Sequence, residues 1–160
     1  MGTGKSAVGR KLATRLRWRF FDTDILIEQE AKTPIVNIFA QKGEAHFRVL
    51  ESEVIDRICR EKKVVIATGG GAIVSAKNAT RLRESGVVIC LTATPETIFA
   101  RVRGNTDRPL LQDPNPLAKI RSLLALRAEA YAKADMTIDT TTLNVERIVE
   151  TILSRVAGTT

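Results

Sequence analysis

The feature that most constrains the fold is a set of short, continuous apolar runs set between helices. VVIATGGG begins at Val64, VVICLTAT at Val87, MTID at Met136, and Phe20-Phe21 closes on Asp22. Apolar strands of this length, separated by helices, mean a parallel sheet covered on both faces. The intervening segments carry helical punctuation. Val8, Leu12 and Leu16 share one face, and DILIEQEA reads as a helix. Thr33 is expected to cap a helix that starts at Pro34 and stops at Gly43. Glu44 to Lys62 is a long amphipathic helix with Phe47, Leu50, Val54 and Ile58 as its stripe. Ser75 caps a short helix closed by Gly86, Thr94-Pro95 starts one through Val102, and Asn144 caps the last. Between Val102 and a returning helix at about Pro116–Ala132 lies RGNTDRPLLQDPNP, a long polar loop with three prolines. Loops of that length are usually functional lids.

The whole reads as one domain over residues 1–160, with a lid at about 103–116. No apolar run approaches the ~20 residues of a membrane span, and no signal peptide is legible, so the cytoplasm is expected. Cys59 and Cys90 stand in unrelated apolar contexts and read as reduced thiols. The net charge of +7 invites a polyanion, but the basic residues are scattered and aromatics are only 4%. That argues for a small phosphorylated or carboxylated ligand and against nucleic acid.

Chemistry concentrates in a few places. MGTGKSAVG ends in Gly4-Lys5-Ser6, the tail of the phosphate-loop pattern G-x-x-x-x-G-K-[ST]. Glycines let backbone N–H groups converge on phosphate oxygens, and the helix behind adds its positive end. Lys5 supplies a mobile charge, and Ser6 a hydroxyl for Mg²⁺. FDTD sets Asp22 and Asp24 at the carboxyl end of a strand, where open parallel sheets bind ligands; a helix cap at Thr23 or Asp24 is the plainer reading. Arg48 and Glu51 are i, i+3, as in a surface ion pair. Gly69-Gly70-Gly71 has a use only where backbone must approach something closely. Arg108 lies in the lid, and Arg101 and Arg103 lie where the preceding helix ends. Arg127 and Tyr131 are i, i+4, and their plain reading is an arginine packed along an aromatic ring. Lone His46 reads as a surface or packing histidine.

Together GTGKSAVG, FDTD, EAHFRVLE, ATGGG, NTDRPLL and RAEAYAKA resemble the shikimate kinase family over essentially the whole chain. The resemblance implies a phosphate-loop kinase fold, three-layer α/β/α, with a five-stranded parallel sheet and a lid insertion. It implies ATP-dependent phosphorylation of the 3-hydroxyl of shikimate, on the route to chorismate and the aromatic amino acids. Gly2, Thr3, Gly4, Lys5, Ser6 and Ala7 would hold the ATP phosphates, with Mg²⁺ on Ser6 and on Asp22 through water. Asp24 would act on the attacking hydroxyl, with Lys5 and Arg108 neutralising charge. Arg48 and Arg127 would clamp the shikimate carboxylate, Glu51 would orient Arg48, and Gly69, Gly70 and Gly71 would approach substrate through backbone. Arg101 or Arg103 would lie on adenine. A monomer is expected, with ATP and shikimate as its partners. The rivals are a kinase of another small carboxylated metabolite, or a non-catalytic binding module of the same fold.

The family's first strand, which leads into the phosphate loop in mid-sheet, has no counterpart ahead of Met1. Without it the remaining strands are expected to form two unbridged pairs. Met1 then reads as an internal residue of the loop, with roughly ten residues ahead of it.

Overall fold

The structure is a computed structural model and describes residues 2–103 and 113–157. In chain order it runs α1 (Lys5–Leu16), β1 (Arg19–Asp22), α2 (Thr23–Ala31), α3 (Ile35–Ile58) and β2 (Val64–Ala67). A 3-10 turn (Ala72–Val74) leads to α4 (Ala76–Ser85), β3 (Ile89–Thr92), α5 (Pro95–Val102), α6 (Pro116–Ala132), β4 (Met136–Asp139) and α7 (Val145–Ala157). The lid falls mostly outside the described residues, as does Arg108.

Among the described residues all strand pairing is parallel. β1 pairs with β2, from Arg19 opposite Val64 to Asp22 opposite Ala67. β3 pairs with β4, from Ile89 opposite Met136 to Thr92 opposite Asp139. Among the described residues these are two separate two-stranded sheets, the division expected above. Their side chains nevertheless meet. Val65 of β2 and Ile89 and Leu91 of β3 pack on one apolar cluster built by Val8 and Leu12 of α1, Ile138 of β4, and Ile148, Val149 and Ile152 of α7. All four residues of β3 are only half-buried, where a covered parallel strand is expected to be fully enclosed.

The helix boundaries follow their local chemistry. Ser75 and Thr94 accept from Asn78 and Thr97 as N-caps of α4 and α5. Asn144 accepts the Arg147 amide ahead of α7. Two details differ from expectation: Pro34, not Thr33, is the N-cap residue of α3, and the helical run ends at Ile58 rather than Lys62. Gly43 breaks α3 as expected, since its φ of 79° and ψ of 170° are non-helical, and a second helical stretch follows it. Ile27, Ile38, Phe47, Val54 and Ile58 fasten α2 against α3 in a second cluster beneath β1 and β2.

Candidate active site

Two glycine-bearing turns frame the site. The first enters α1. Gly2 has φ 65° and Gly4 φ 88°, left-handed values that an L side chain rarely adopts. Gly4 is the N-cap, and no acidic residue stands in the first turn. The first helical hydrogen bond is donated by Val8 to the Gly4 carbonyl, 2.9 Å. The amides of Ser6 and Ala7 thus have no helical acceptor and face the helix's positive end, the arrangement that binds anions. A Cβ on Gly2 would stand 2.9 Å from Val102 and 3.0 Å from Ile98, so the loop sits tightly on α5.

The loop is tied down by a residue that no motif flagged. Thr140, at the end of β4, is 1% exposed. Its hydroxyl lies 2.9 Å from the Thr92 carbonyl and 3.3 Å from that of Thr3. Arg101 donates to that hydroxyl at 3.0 Å, to the Thr140 carbonyl at 2.6 Å and to the Gly2 carbonyl at 3.4 Å. Of the two arginines ahead of the lid, Arg101 therefore stands at the loop, while Arg103 is the exposed C-cap residue of α5.

Ser6 and Asp22 meet directly: the Ser6 hydroxyl donates to Asp22 Oδ2 at 2.6 Å. The other oxygen of Asp22 accepts the Asp24 amide at 3.1 Å. Asp22 is thus the N-cap of α2, a place the sequence had suggested for Thr23 or Asp24. Thr23, fully buried, has a different job. Its Oγ1 accepts the amide of Gly69, 3.1 Å away, and so pins the second turn.

That second turn, Gly69-Gly70-Gly71, has no left-handed φ. Its glycines are required by space. A Cβ on Gly69 would lie 2.8 Å from Glu51 Oε1 and 3.0 Å from Asp24 Oδ1. On Gly71 it would lie 2.6 Å from Arg48 Nη2. The turn therefore lets two carboxylates and a guanidinium press against its backbone.

Arg48 and Glu51 are far from a surface pair. Glu51 is 0% exposed and accepts from Arg48 Nη1 at 2.8 Å; its other oxygen, buried, has no hydrogen-bond partner among the described residues. Burial pushes the Glu51 carboxyl above its usual range, partly offset by the hydrogen bond and charge of Arg48, with Asp24 adding to the rise and Arg127 opposing it. Burial also opposes the charge of Arg48, but Glu51 and Glu44 more than offset it and hold the guanidinium above its ordinary value. Glu44 accepts Arg48 Nη2 at 2.9 Å from the solvent side. Arg127, half-buried on α6, has no ion pair among the described residues, although Glu51 feels its charge.

Tyr131, one turn after Arg127, donates its hydroxyl to the Gly70 carbonyl at 2.7 Å. Burial raises the phenol above its ordinary value, with the neighbouring Arg127 opposing the rise. A groove of about 400 Å³ runs between α3 and α4 past Ile55, Asp56, Asn78 and Arg81, and Asp24, Arg48, Glu51, Arg127 and Tyr131 do not line it. Among the described residues no three His, Cys, Asp or Glu side chains cluster as metal ligands. No helix there is long and apolar enough to cross a membrane.

A parallel α/β core, a glycine loop entering a helix and a neighbouring cluster of arginines and carboxylates define the class of phosphate-loop kinases of small metabolites. The comparisons narrow this. The family model for shikimate kinase matches residues 1–157. A shikimate kinase of Geobacter metallireducens is 47% identical over 99% of this chain and 88% of its own. One from Neisseria meningitidis serogroup C is 40% identical over 98% of this chain and 92% of its own. A solved shikimate kinase from Acinetobacter baumannii, in complex with shikimate, superposes with a TM-score of 0.96 at 38% identity, covering 99% of this chain and 89% of that one. A gluconokinase from Sinorhizobium meliloti shares the fold alone, with a TM-score of 0.64 at 16% identity. The chain belongs to the shikimate kinase family. It is an enzyme of that family, with the ATP-dependent phosphorylation of shikimate as its reaction.

Proposed function

We propose that the chain, as one cytoplasmic, monomeric domain over residues 1–160 with a lid at about 103–116, transfers the γ-phosphoryl of ATP to the 3-hydroxyl of shikimate. The observation that carries the division of labour is the pair of cations around Glu51. Arg48 is held against Gly71 by a buried carboxylate, and Arg127 faces the same carboxylate's field with no ion pair of its own among the described residues. Two planar forks suit one carboxylate bidentately, as a lysine would not. Arg48 and Arg127 therefore clamp the shikimate carboxylate.

Asp24 stands beside Glu51 at the Gly69 α-carbon, where it takes the proton of the attacking hydroxyl. Glu51 accepts from Arg48 and holds that arginine in place. The loop from Gly2 to Ala7 cradles the phosphates through its amides, and Lys5 adds a full charge. Arg108 of the lid supplies further charge to the transferred group, and Arg101 lies along adenine, beside the loop that it already holds.

A hydroxyl and a carboxylate 2.6 Å apart are hard oxygen ligands of the kind Mg²⁺ takes alongside water and phosphate, so Ser6 and Asp22 fit that ion. Bound there, Mg²⁺ would neutralise charge on the β- and γ-phosphates. Enclosing the site keeps water from competing for the phosphoryl group.

Steady-state kinetics of Arg127→Ala test the clamp. The shikimate KM should rise about 100-fold, the cost of losing a charge-assisted bidentate contact, with the ATP KM changed far less. Equal effects on both substrates would remove Arg127 from the acceptor site.

A further inference from the structure

We propose that Tyr131 is a positioning residue for the acceptor turn: its hydroxyl holds the Gly70 carbonyl and thereby aims the Gly71 amide at bound shikimate. The proposal rests on the reading above, in which this turn lines the shikimate site.

Three glycines in a row have no side chains to lock their peptide planes, so the turn's orientation has to come from outside. The structure shows how most of its polar groups are used. The Gly69 amide goes to Thr23, the Gly69 carbonyl accepts the Ala72 amide at 3.1 Å, and the Gly71 carbonyl accepts the Val74 amide at 3.1 Å. The Gly70 carbonyl goes to Tyr131. Among the described residues, the Gly71 amide donates to nothing.

Geometry links the last two groups. Among the described residues no peptide is cis, and in a trans peptide the carbonyl and the following N–H lie in one plane and point in opposite directions. Holding the Gly70 carbonyl therefore sets the direction of the Gly71 N–H. That N–H belongs to the same residue whose α-carbon faces the Arg48 guanidinium. An amide donor and an arginine fork at one position suit an oxygen-rich substrate. Tyr131 also shares α6 with Arg127, so one helix sets both an arginine of the clamp and the plane of the turn. Burial raises the phenol above its ordinary value, which favours the protonated, donating form.

Tyr131→Phe keeps the ring and deletes the hydrogen bond. With shikimate and ATP varied in turn, the shikimate KM should rise about 10-fold, the worth of one neutral hydrogen bond, with kcat and the ATP KM within about 2-fold of the parent. A merely structural tyrosine would lower Tm and leave the shikimate KM unmoved; that result overturns the proposal. Tyr131 is the only tyrosine in the chain, which permits a second measurement on the unsubstituted sequence. With 3-fluorotyrosine incorporated, the single fluorine resonance should shift on adding shikimate and hold still on adding ATP alone. A resonance that ignores shikimate in a protein that phosphorylates it would also overturn the role. If the parent chain releases no ADP with shikimate, the functional reading fails and this role with it. A parent active on shikimate beside an unchanged Tyr131→Phe removes Tyr131 alone.

Discussion

The two glycine turns look alike in sequence and differ in what their glycines do. In GTGKS the requirement is conformational, because Gly2 and Gly4 occupy left-handed φ. In ATGGG the requirement is spatial, because Gly69 and Gly71 keep ordinary φ and yield room to Asp24, Glu51 and Arg48. The first turn presents backbone amides and the positive end of a helix, and in the proposed function these hold the ATP phosphates. The second is a wall against which charged side chains are set. A glycine-rich motif alone therefore does not say whether torsion or volume is being selected.

Four substitutions divide the turns, from the largest expected effect to the smallest. Asp24→Asn at the second turn should lower kcat at least ~100-fold, as for a positioned proton acceptor, with both KM values little moved. Near-normal turnover in a steady-state assay would reduce Asp24 to a first-turn helix residue. Gly4→Ala should be next. Holding alanine at left-handed φ costs about 1–2 kcal/mol, which should appear as a lower Tm together with an ATP KM raised about 10-fold. Gly71→Ala meets only the far end of a flexible arginine. Arg48 should swing aside, raising the shikimate KM about 5- to 10-fold while thermal unfolding shows Tm close to the parent, since one charge-assisted contact is lost and no backbone is strained. If both glycine variants lose Tm equally, the contrast between torsion and volume fails.

The smallest effect concerns pH. Glu51 has a folded pKa raised above its unfolded value near ~4.3. Such a group contributes most to stability below the unfolded value and loses that contribution as pH rises through the folded one. Glutamine carries no such dependence. The Tm advantage of the parent over Glu51→Gln should therefore shrink as the pH rises above about 4. An advantage that grows with pH would mean that pairing with Arg48 outweighs burial.

Much of the site was legible because each piece is local. Gly4-Lys5-Ser6 ahead of an amphipathic helix, Asp22 and Asp24 at a strand end, and three glycines after a buried strand each carry a short-range signal. Thr23, Thr140 and Tyr131 were not legible as parts of it. A threonine beside an aspartate reads as a cap, a threonine after a strand reads as β-propensity, and Tyr131 read as a ring for Arg127. Their partners lie 46, 137 and 61 residues away. Arg48 and Glu51 read from their spacing alone as a surface pair, and only the family resemblance placed them in the site, because i, i+3 spacing says nothing about what covers the pair.

The sequence by itself determined the parallel α/β class, the caps of α4, α5 and α7, and the family, because periodicity, capping and contiguous motifs act over a few residues. Only the tertiary structure decided that Glu51 is buried, that Asp22 caps α2 while reaching Ser6, that Arg101 rather than Arg103 holds the loop, and that the second turn's glycines are there for room. Those outcomes depend on which distant surfaces meet, and hydrogen bonds and desolvation act through space without regard to chain order.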